Sequence, residues 1–466
     1  MNPAFAVPEF DAELIARYDA SGPRYTSYPT APQFRGDFGA ASLRHAIATS
    51  NADDPSRPLS LYVHVPFCRS PCFYCGCNRV ITRDQHRADQ YVVWLQREAA
   101  WMAPLFGPGR RVSQIHLGGG TPNFLDLDQM RTLMEWLARH FRFEREERRE
   151  FAIEIDPRHA EDDYVRELAK LGFNRMSLGI QDFDPQVQLA VNRVHAAKRT
   201  HELVQVARCA GFESINVDLI YGLPKQTPES FERTVAEVIG MRPDRLALYG
   251  YAHLPTVFKA QRRIATADLP DPAERLALFG NAMQQLLAAG YVFIGMDHFA
   301  LPGDELVRAQ REGTLQRNFQ GYSTHGHCDI VGLGVSAISR IGNTYSQNER
   351  DLAMYDAALD SGLSPVAKGL VLDSDDLIRR DVINELMCHG RLDKRGFESR
   401  HGITFDEYFA DELARMDALG RDELLAMDEQ LIQVTPRGRL LLRNIAMCFD
   451  KYLQHGMQMT CYSKTI

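Results

Sequence analysis

Short runs of β-branched and apolar residues recur between residues 60 and 251, and each run is followed by a helical pattern. This alternation is typical of strand–helix units. Because parallel neighbours need a helical return, successive units predict a parallel sheet with right-handed crossovers. The predicted strands are Ser60–Val65, Gln114–Leu117, Glu150–Ile155, Arg175–Ile180, Ser214–Ile220 and Arg245–Tyr251.

The predicted helices between these strands have recognisable ends. Asp126 is a good N-cap for the amphipathic run that follows it, and Thr227 before Pro228 opens another helix. A third predicted helix runs from Pro157 to Leu171 and ends at Gly172, a favoured residue just after a helix.

Polar or glycine-rich residues follow the carboxyl end of nearly every predicted strand. An open sheet places its site mainly at one switch point, whereas a barrel collects loops from all its strands at one mouth. We therefore predict an α/β fold with an incomplete parallel (β/α) barrel. The residues at the strand ends are the cysteines after residue 65, Gly118–Thr121, Glu154, Gln181 with Asp182, Asp218 and Ala252 with His253.

The flanking regions have other patterns. Residues 1–50 are rich in Pro, Gly, Tyr and Ser and predict an extended N-terminal arm, with a catalytic domain over 51–350. Residues 351–466 predict a mostly helical, winged-helix-like domain. Residues 371–450 hold 17 acidic and 11 basic residues, a balance that favours a structural or lid role over DNA binding.

Composition and charge narrow the function classes. The 466 residues are 45% apolar and 24% charged, which is typical of a globular protein. A net charge of −8 argues against nucleic acid or an anionic membrane as the main partner. No secretory signal and no apolar run of about 18 residues are evident, so we expect a cytoplasmic protein. Nine cysteines then indicate a reducing compartment.

Four cysteines fall within ten residues, with Cys68, Cys72 and Cys75 at the spacing C-x3-C-x2-C and Cys77 two residues further on. Three thiolates in one loop can hold three corners of a [4Fe–4S] cluster and leave the fourth iron open. Two alternatives remain: a structural zinc site, which normally uses separated ligand pairs, and an electron carrier with Cys77 as fourth ligand. The short step from Cys75 to Cys77 is cramped for two ligands of one cluster.

The loop, with an aromatic residue before its last ligand, resembles the radical S-adenosylmethionine superfamily. Further motifs resemble the family of oxygen-independent coproporphyrinogen III oxidases, and the likeness covers essentially the whole chain. These motifs are Pro23–Pro29, Tyr62–Cys68, Cys75–Asn78, Gly118–Pro122, Ile153–Pro157, Gly179–Phe183, Asp218–Gln226, Tyr251–Pro255 and Arg317–Tyr322.

The resemblance implies one [4Fe–4S] cluster on Cys68, Cys72 and Cys75, whose open iron binds S-adenosylmethionine and yields a 5′-deoxyadenosyl radical. Glycines allow close backbone approach to a ligand. Gly119 and Gly120 are the positions where such an approach is expected. The residues that the resemblance places around the first S-adenosylmethionine are Tyr62, Glu154 and Ile338.

The family also implies a second S-adenosylmethionine beside the first. It makes Cys77 necessary for activity without being a ligand, near the substrate or as a hydrogen donor. The residues matched to the second molecule are Tyr74, Gly120, Thr121, Gln181, Arg193, Asp218 and the backbone of Ala252.

The expected reaction is the anaerobic oxidative decarboxylation of two propionates of coproporphyrinogen III to vinyl groups, with a flavodoxin- or ferredoxin-type reductant and a monomeric enzyme. The alternative is a haem chaperone of the same family, which usually lacks the Cys75–Cys77 step, the long arm and Arg317–Tyr322. His325 and His327 are either a metal or acid–base pair or ordinary loop residues. Candidate substrate contacts are Arg24, Tyr25, Tyr28, Arg317 and Tyr322.

Overall fold

The computed structural model of the protein describes residues 7–454 and 464. These residues pack as two compact units. The sheet unit comprises Phe34–Leu278 and His327–Val371, and the terminal unit comprises the described residues of Met1–Gln33, Phe279–Gly326 and Leu372–Ile466. Tertiary packing thus groups stretches that are distant in the chain, whereas the predicted spans 1–50, 51–350 and 351–466 follow sequence order.

The main sheet of the sheet unit contains the six predicted strands, each within three residues of its predicted ends, and four more. They are β1 (Leu59–Val65), β2 (Arg111–Gly119), β3 (Glu150–Ile155), β4 (Arg175–Gln181), β5 (Ser214–Tyr221), β6 (Arg245–Gly250), β7 (Asp329–Leu333), β8 (Ile338–Ile341), β9 (Thr344–Asn348) and β10 (Val366–Val371).

Within this unit the strand order is β6-β5-β4-β3-β2-β1-β7-β8-β9-β10. All pairs from β6 to β7 are parallel, and β8, β9 and β10 continue the sheet antiparallel. Strands β1 to β6 are neighbours in sequence order, without the reversal of a doubly wound sheet. The order of strands does not return on itself in the described part of the chain, so the predicted incomplete (β/α) barrel is confirmed.

Helices connect these strands and end where their caps predict. Asp126 and Gln129 form a capping box at Leu127–His140, and Thr227 and Ser230 form one at Pro228–Met241. The helices of this unit are Ala40–Asp53, His86–Met102, Leu127–His140, Asp162–Lys170, Pro185–Ala190, Ala197–Ala210, Pro228–Met241 and Leu352–Asp360, and Pro272–Ala288 contains the boundary between the two units.

The prediction of a single helix from Pro157 to Leu171 is wrong. Asp156 caps a short 3-10 turn, Pro157–His159, by accepting from the Arg158 N–H. Ala160 and Glu161 are extended, and the α-helix begins at Asp162. The other short elements of this unit are the 3-10 turns Ala103–Leu105, Pro122–Phe124, Glu146–Arg148, Lys259–Arg263 and Thr266–Asp268, and the strands Phe67–Cys68, Val80–Ile81 and Arg142–Phe143.

The terminal unit is mostly helical. It contains the strand Leu425–Met427, a turn, the strand Leu431–Val434 and the helix Leu442–Met447 in that order, and Arg391–Asp393 adds a third strand. Its other elements are the helices Ala12–Tyr18, Glu305–Glu312, Ser374–His389, Lys394–His401, Phe405–Tyr408, Ala410–Arg421 and Lys451–Gln454, the 3-10 turns Ala31–Gln33 and Gly438–Leu441, and the strands Val292–Gly295, His298–Ala300, Gln316–Asn318 and Gly321–Ser323.

A group of phenylalanine side chains lies within the core of the terminal unit. Phe405, Phe409 and Phe449 are fully buried, and Phe409 has its ring centroid 4.9 Å from that of Phe405 and 5.2 Å from that of Phe449. Such packing holds short helices that propensity alone would not stabilise. None of the helices in the described residues is long and apolar enough to span a membrane.

Candidate active site

The cysteine loop, residues 66–80, follows the carboxyl end of β1 and is fixed by backbone contacts. Phe73 N donates to Val191 O over 2.9 Å, and Asn192 Nδ2 donates to Pro71 O over 2.7 Å. The side chains of Phe73 and Tyr74 pack on a small buried apolar cluster. Hydrogen bonds and apolar packing therefore fix the middle of the loop that carries the three predicted ligands. The residues of that cluster are Val187, Val191, Leu223, Tyr251 and Ile264.

Gln261 joins the cysteine loop to the segment after β6. Its Nε2 donates to Tyr74 O over 2.9 Å and to Ala252 O over 3.1 Å. One buried amide thus brings together two residues predicted for the second S-adenosylmethionine, although they are distant in sequence.

The thiol side chains of the loop lie among guanidinium groups. Cys72 is buried, and its Sγ accepts from Arg158 Nη2 and from Arg193 Nη1, each over 3.4 Å. Arg79 donates to the backbone oxygens of Cys72, Cys75 and Cys77 over 3.0–3.4 Å. Free thiols with cationic N–H donors suit the negative charge of an iron–sulfur cluster. The donor set therefore fits the expected cluster.

Cys77 is the most exposed of the four cysteines in the loop. Its backbone N–H donates to Cys75 Sγ over 3.4 Å, so this residue touches the third predicted ligand through its main chain. Such an N–H···S contact is a usual partner of a cluster thiolate.

Polar side chains form a ladder across the first three strands. Tyr62 and His116 are register partners on β1 and β2, and their rings stack with centroids 5.9 Å apart. Tyr62 Oη bonds to His64 Nδ1 over 3.1 Å, and His116 Nε2 lies 3.3 Å from Glu154 Oε1. The ladder places Tyr62 and Glu154 in one site. Ile338, the first residue of β8, adjoins Gly332, the β7 register partner of Tyr62.

The glycine run at the carboxyl end of β2 is required by the protein's own packing. At Gly119 φ is +120°, and a Cβ would lie 2.8 Å from the His64 ring. A Cβ on Gly120 would lie 2.5 Å from Pro66 O, and one on Gly118 would lie 2.8 Å from Glu154 Oε1. The Gly119 N–H donates to Glu154 Oε2 over 3.3 Å. These glycines were predicted to let a ligand come close to the backbone. They also let β2 pack closely against His64, Pro66 and Glu154.

Thr121 begins a hydrogen-bonded chain that leads towards the cysteines. Its Oγ1 donates to Asn123 Oδ1 over 2.6 Å, and Asn123 bonds to both backbone groups of Asp156. The Asp156 carboxylate accepts from Arg158 Nη2 over 2.6 Å and from Arg193 Nη1 over 3.3 Å. These two guanidinium groups hold the pKa of Asp156 well below its ordinary value, although burial opposes them.

Gln181 and Arg193 meet at Gly179, near the end of β4. Arg193 is 6% exposed and donates through Nε to Gly179 O over 3.0 Å. Gln181 has φ of +71°, and its side-chain Oε1 is buried without a hydrogen-bond partner in the described part of the chain. An orphaned buried acceptor beside a guanidinium is a suitable place for a polar ligand.

Asp218 on β5 is held by two neighbouring side chains. Its carboxylate accepts from Ser177 Oγ and Asn216 Nδ2, each over 2.9 Å. Removal from water, together with the charge of Glu154, raises the pKa of Asp218 to about 6. The group is therefore mostly ionised at pH 7 and suits a cationic ligand.

The structure brings every predicted cluster and S-adenosylmethionine residue into the sheet unit, around the carboxyl ends of its strands. Sequence reasoning missed several partners of these residues. For the missed residues that lie on strands, the detectable signal was polar residues two apart in an apolar run, which places both side chains on one face. The missed residues are His64, His116, Asp156, Arg158, Ser177 and Asn216.

The five candidate substrate residues lie in the terminal unit. Tyr25 and Tyr28 belong to its core, where Tyr25 Oη donates to Asp450 Oδ2 over 3.0 Å and Tyr28 Oη accepts from Lys451 N over 3.2 Å. Tyr322 is also buried, and its hydroxyl donates to Met387 O over 3.0 Å. Arg317 stacks on Tyr322, and Arg24 pairs with Asp297. These contacts assign the three tyrosines a packing role.

Comparison with known proteins identifies the family. Residues 62–238 match the radical SAM superfamily model, and residues 372–441 match the model of the HemN C-terminal domain. The chain is 51% identical to the oxygen-independent coproporphyrinogen III oxidase of Pseudomonas aeruginosa over 95% of this chain and 96% of that one. It is 50% identical to the oxidase of the same name from Escherichia coli, over 98% of this chain and 99% of that one.

The solved structure of coproporphyrinogen III oxidase (HemN) from Escherichia coli, described as a radical SAM enzyme, superposes with a TM-score of 0.91 at 49% identity. The match covers 96% of this chain and 100% of that one. A likeness of this extent includes the fold, the cysteine loop and the C-terminal domain together. The chain therefore belongs to the oxygen-independent coproporphyrinogen III oxidases of the radical S-adenosylmethionine superfamily.

Proposed function

We propose that this enzyme converts two propionate side chains of coproporphyrinogen III to vinyl groups without O2, giving protoporphyrinogen IX in haem biosynthesis. Each conversion removes a β-hydrogen atom and one further electron and releases CO2. The observation that carries the proposal is the set of three thiols at the carboxyl end of a parallel sheet, beside Glu154 and Asp218, in a chain 50% identical to curated oxidases of this name.

Cys68, Cys72 and Cys75 would hold one [4Fe–4S] cluster. Arg79 stabilises the conformation of their loop by donating to three of its backbone oxygens. Arg158 and Arg193 would offset the negative charge of the Cys72 thiolate. When bound, the reduced cluster and S-adenosylmethionine supply the radical that takes a hydrogen atom from the propionate. The protein's task is to position both groups and to exclude water.

Glu154 is the proposed anchor of the first S-adenosylmethionine. The Gly119 N–H and His116 orient its two carboxylate oxygens, which leaves lone pairs for an ammonium or ribose hydroxyls. Tyr62 and Ile338 would border the same molecule. Gly119 and Gly120 would present backbone rather than side chain to it.

A second S-adenosylmethionine is proposed beside the first. Asp218 would accept from its ammonium or hydroxyls, Arg193 would pair with its carboxylate, and the orphaned Gln181 Oε1 would accept a further N–H or O–H. Tyr74, Gly120, Thr121 and the backbone of Ala252 complete this proposed set. Two molecules would suit two propionates that react in turn.

Cys77 is proposed as a thiol that acts near the substrate rather than as a ligand. It is exposed, whereas Cys72 in the same loop is buried. The proposal also includes a flavodoxin- or ferredoxin-type electron donor, a monomeric enzyme and a cytoplasmic location.

The experiment that tests the function is anaerobic turnover. The purified chain is reconstituted with iron and sulfide, reduced, and given S-adenosylmethionine and coproporphyrinogen III in a cell extract that supplies an electron acceptor. We expect 5′-deoxyadenosine, CO2 and protoporphyrinogen IX. Stable haem binding without 5′-deoxyadenosine would instead support the chaperone alternative, which the names of the similar proteins do not favour.

A further inference from the structure

Arg158 is a charged side chain that contacts the thiol of a predicted ligand and has no predicted role. Its Nη2 donates to Cys72 Sγ over 3.4 Å, although 86 residues separate the two in sequence. Its side chain is only 11% exposed, so this contact is shielded from competing water. Hydrogen bonds to cluster sulfurs are among the factors that set the reduction potential of an iron–sulfur centre.

The guanidinium of Arg158 is held on every side. Asp156 accepts from its Nε over 3.0 Å and from its Nη2 over 2.6 Å, and Nη1 reaches Ser70 Oγ over 3.3 Å and Asn192 O over 3.2 Å. Asp156 also accepts from the backbone N–H of Arg158 over 3.1 Å, as cap of the short 3-10 turn. A group fixed in this way donates to sulfur with little further loss of side-chain entropy.

The three predicted ligands are not treated alike by the protein. Cys72 Sγ accepts from two guanidinium groups, whereas the contact at Cys75 Sγ comes from the backbone N–H of Cys77. Both arginines share the Asp156 carboxylate, which lies in the chain of hydrogen bonds from Thr121. Among the described residues, Cys72 is therefore the predicted ligand whose sulfur accepts directly from guanidinium groups.

We propose that Arg158 is a positioning residue that raises the reduction potential of the cluster by donating to the Cys72 thiolate from a site set by Asp156. This inference rests on the cluster-binding role proposed above. A positive N–H donor stabilises the reduced, more negative cluster more than the oxidised one. Arg158 thereby makes it easier for the electron donor to reduce the cluster.

The test measures the potential of the cluster itself. Wild type, Arg158→Gln and Arg158→Lys are reconstituted anaerobically, their iron and sulfide contents are determined, and the clusters are titrated by electron paramagnetic resonance without S-adenosylmethionine. We expect full iron content and a more negative midpoint potential in Arg158→Gln. The midpoint potential of Arg158→Lys should lie between those of wild type and Arg158→Gln, because lysine keeps the positive charge but lacks the planar set of guanidinium N–H donors. Omitting S-adenosylmethionine separates this role from the proposed ligand contacts of Arg193.

Arg166→Gln is the matched control, since Arg166 is half exposed and pairs with Asp162 and Asp163 on its own helix. Its potential should equal that of wild type. Loaded Arg158→Gln at the wild-type potential would overturn the inference while leaving the proposed function intact. If Arg158→Gln does not load, the potential of Arg158→Lys decides: a negative shift supports the inference and a wild-type value overturns it. A wild-type chain that binds no cluster would refute both proposals.

Discussion

The cysteine loop of the sheet unit and the core of the terminal unit use cysteine in opposite ways. Burial raises the pKa of Cys68 in the loop to about 12, and burial raises the pKa of Cys388 in the terminal unit to about 12 as well. Burial therefore does not distinguish them. Cys388 donates to Asn384 Oδ1 over 3.3 Å within an apolar cluster, whereas Cys68 shares its loop with Cys72 and Cys75.

The comparison teaches that the neighbours of a thiol, and not its burial, separate a metal ligand from a packing residue. A coordinating thiol is deprotonated by the metal itself, so a high pKa in the metal-free protein does not prevent ligation. The same holds for tyrosine: Tyr62 lies in the polar ladder across β1 to β3, whereas Tyr25 and Tyr28 pack among the apolar residues of the terminal unit.

The largest expected effect follows from replacing one predicted ligand. Cys75→Ser should abolish cluster assembly and turnover, because two thiolates cannot hold the cluster. The matched control is Cys388→Ser, which should keep full iron content. Iron and sulfide analysis after reconstitution measures both. A cluster in Cys75→Ser equal to that of wild type would mean that another cysteine is the third ligand.

Cys77→Ser should keep the iron content and lose turnover. The proposed role of Cys77 needs its thiol, whereas its backbone N–H to Cys75 Sγ remains in the variant. Cys209→Ser, at another exposed cysteine of the sheet unit, should leave both iron content and turnover unchanged. Loss of iron in Cys77→Ser would instead identify Cys77 as a ligand.

Phe409→Ala should lower the free energy of unfolding of the terminal unit by about 3–5 kcal/mol, since it empties a fully buried site between Phe405 and Phe449. Tyr408→Phe, at an exposed neighbour that loses one hydrogen bond to Asp375, should cost about 1 kcal/mol. Denaturant unfolding checks both. Equal losses would show that this aromatic cluster is not the stabilising core.

Asp218→Asn should weaken S-adenosylmethionine binding by about 1.5–3 kcal/mol, or roughly 10- to 150-fold in KM, by removing a charged acceptor. The pKa of Asp218 is raised to about 6, so the carboxylate is ionised above that pH and neutral below it. In wild type KM should therefore be flat above pH 7 and rise as pH falls through 6. Steady-state kinetics across this range should show that the rise is absent in Asp218→Asn. A persisting rise would assign it to another group.

Several parts of the structure were predictable from short stretches of sequence. The strand Glu150–Ile155 and the capped start of Leu127–His140 follow from alternation and from an N-cap, which act within one element. The sequence analysis missed the split between Pro157–His159 and Asp162–Lys170. Asp156 caps Pro157–His159 as a separate 3-10 turn, so the α-helix begins later. That choice depends on Arg158, whose other contacts are far away in the chain.

The site also combines features that short stretches of sequence predict with features that depend on distant contacts. Three closely spaced cysteines indicate cluster chemistry wherever the loop lies, and glycines after β2 indicate a tight approach. Only the fold shows that the approach is to His64 and Pro66, and that Gln261 binds both Tyr74 and Ala252. The sequence marked His116 and Asn216 as polar residues on apolar strands. It did not show which residues they contact.

The sequence by itself determined the alternating strands and helices, because these depend on residue type and local spacing, and its motifs indicated the family. The ligand set Cys68, Cys72 and Cys75 is a prediction that follows from that resemblance. The tertiary structure decided that Arg158 meets Cys72 and that three separate stretches form the terminal unit. The physical reason is distance along the chain. Contacts between residues far apart depend on how whole elements pack, which no local pattern specifies.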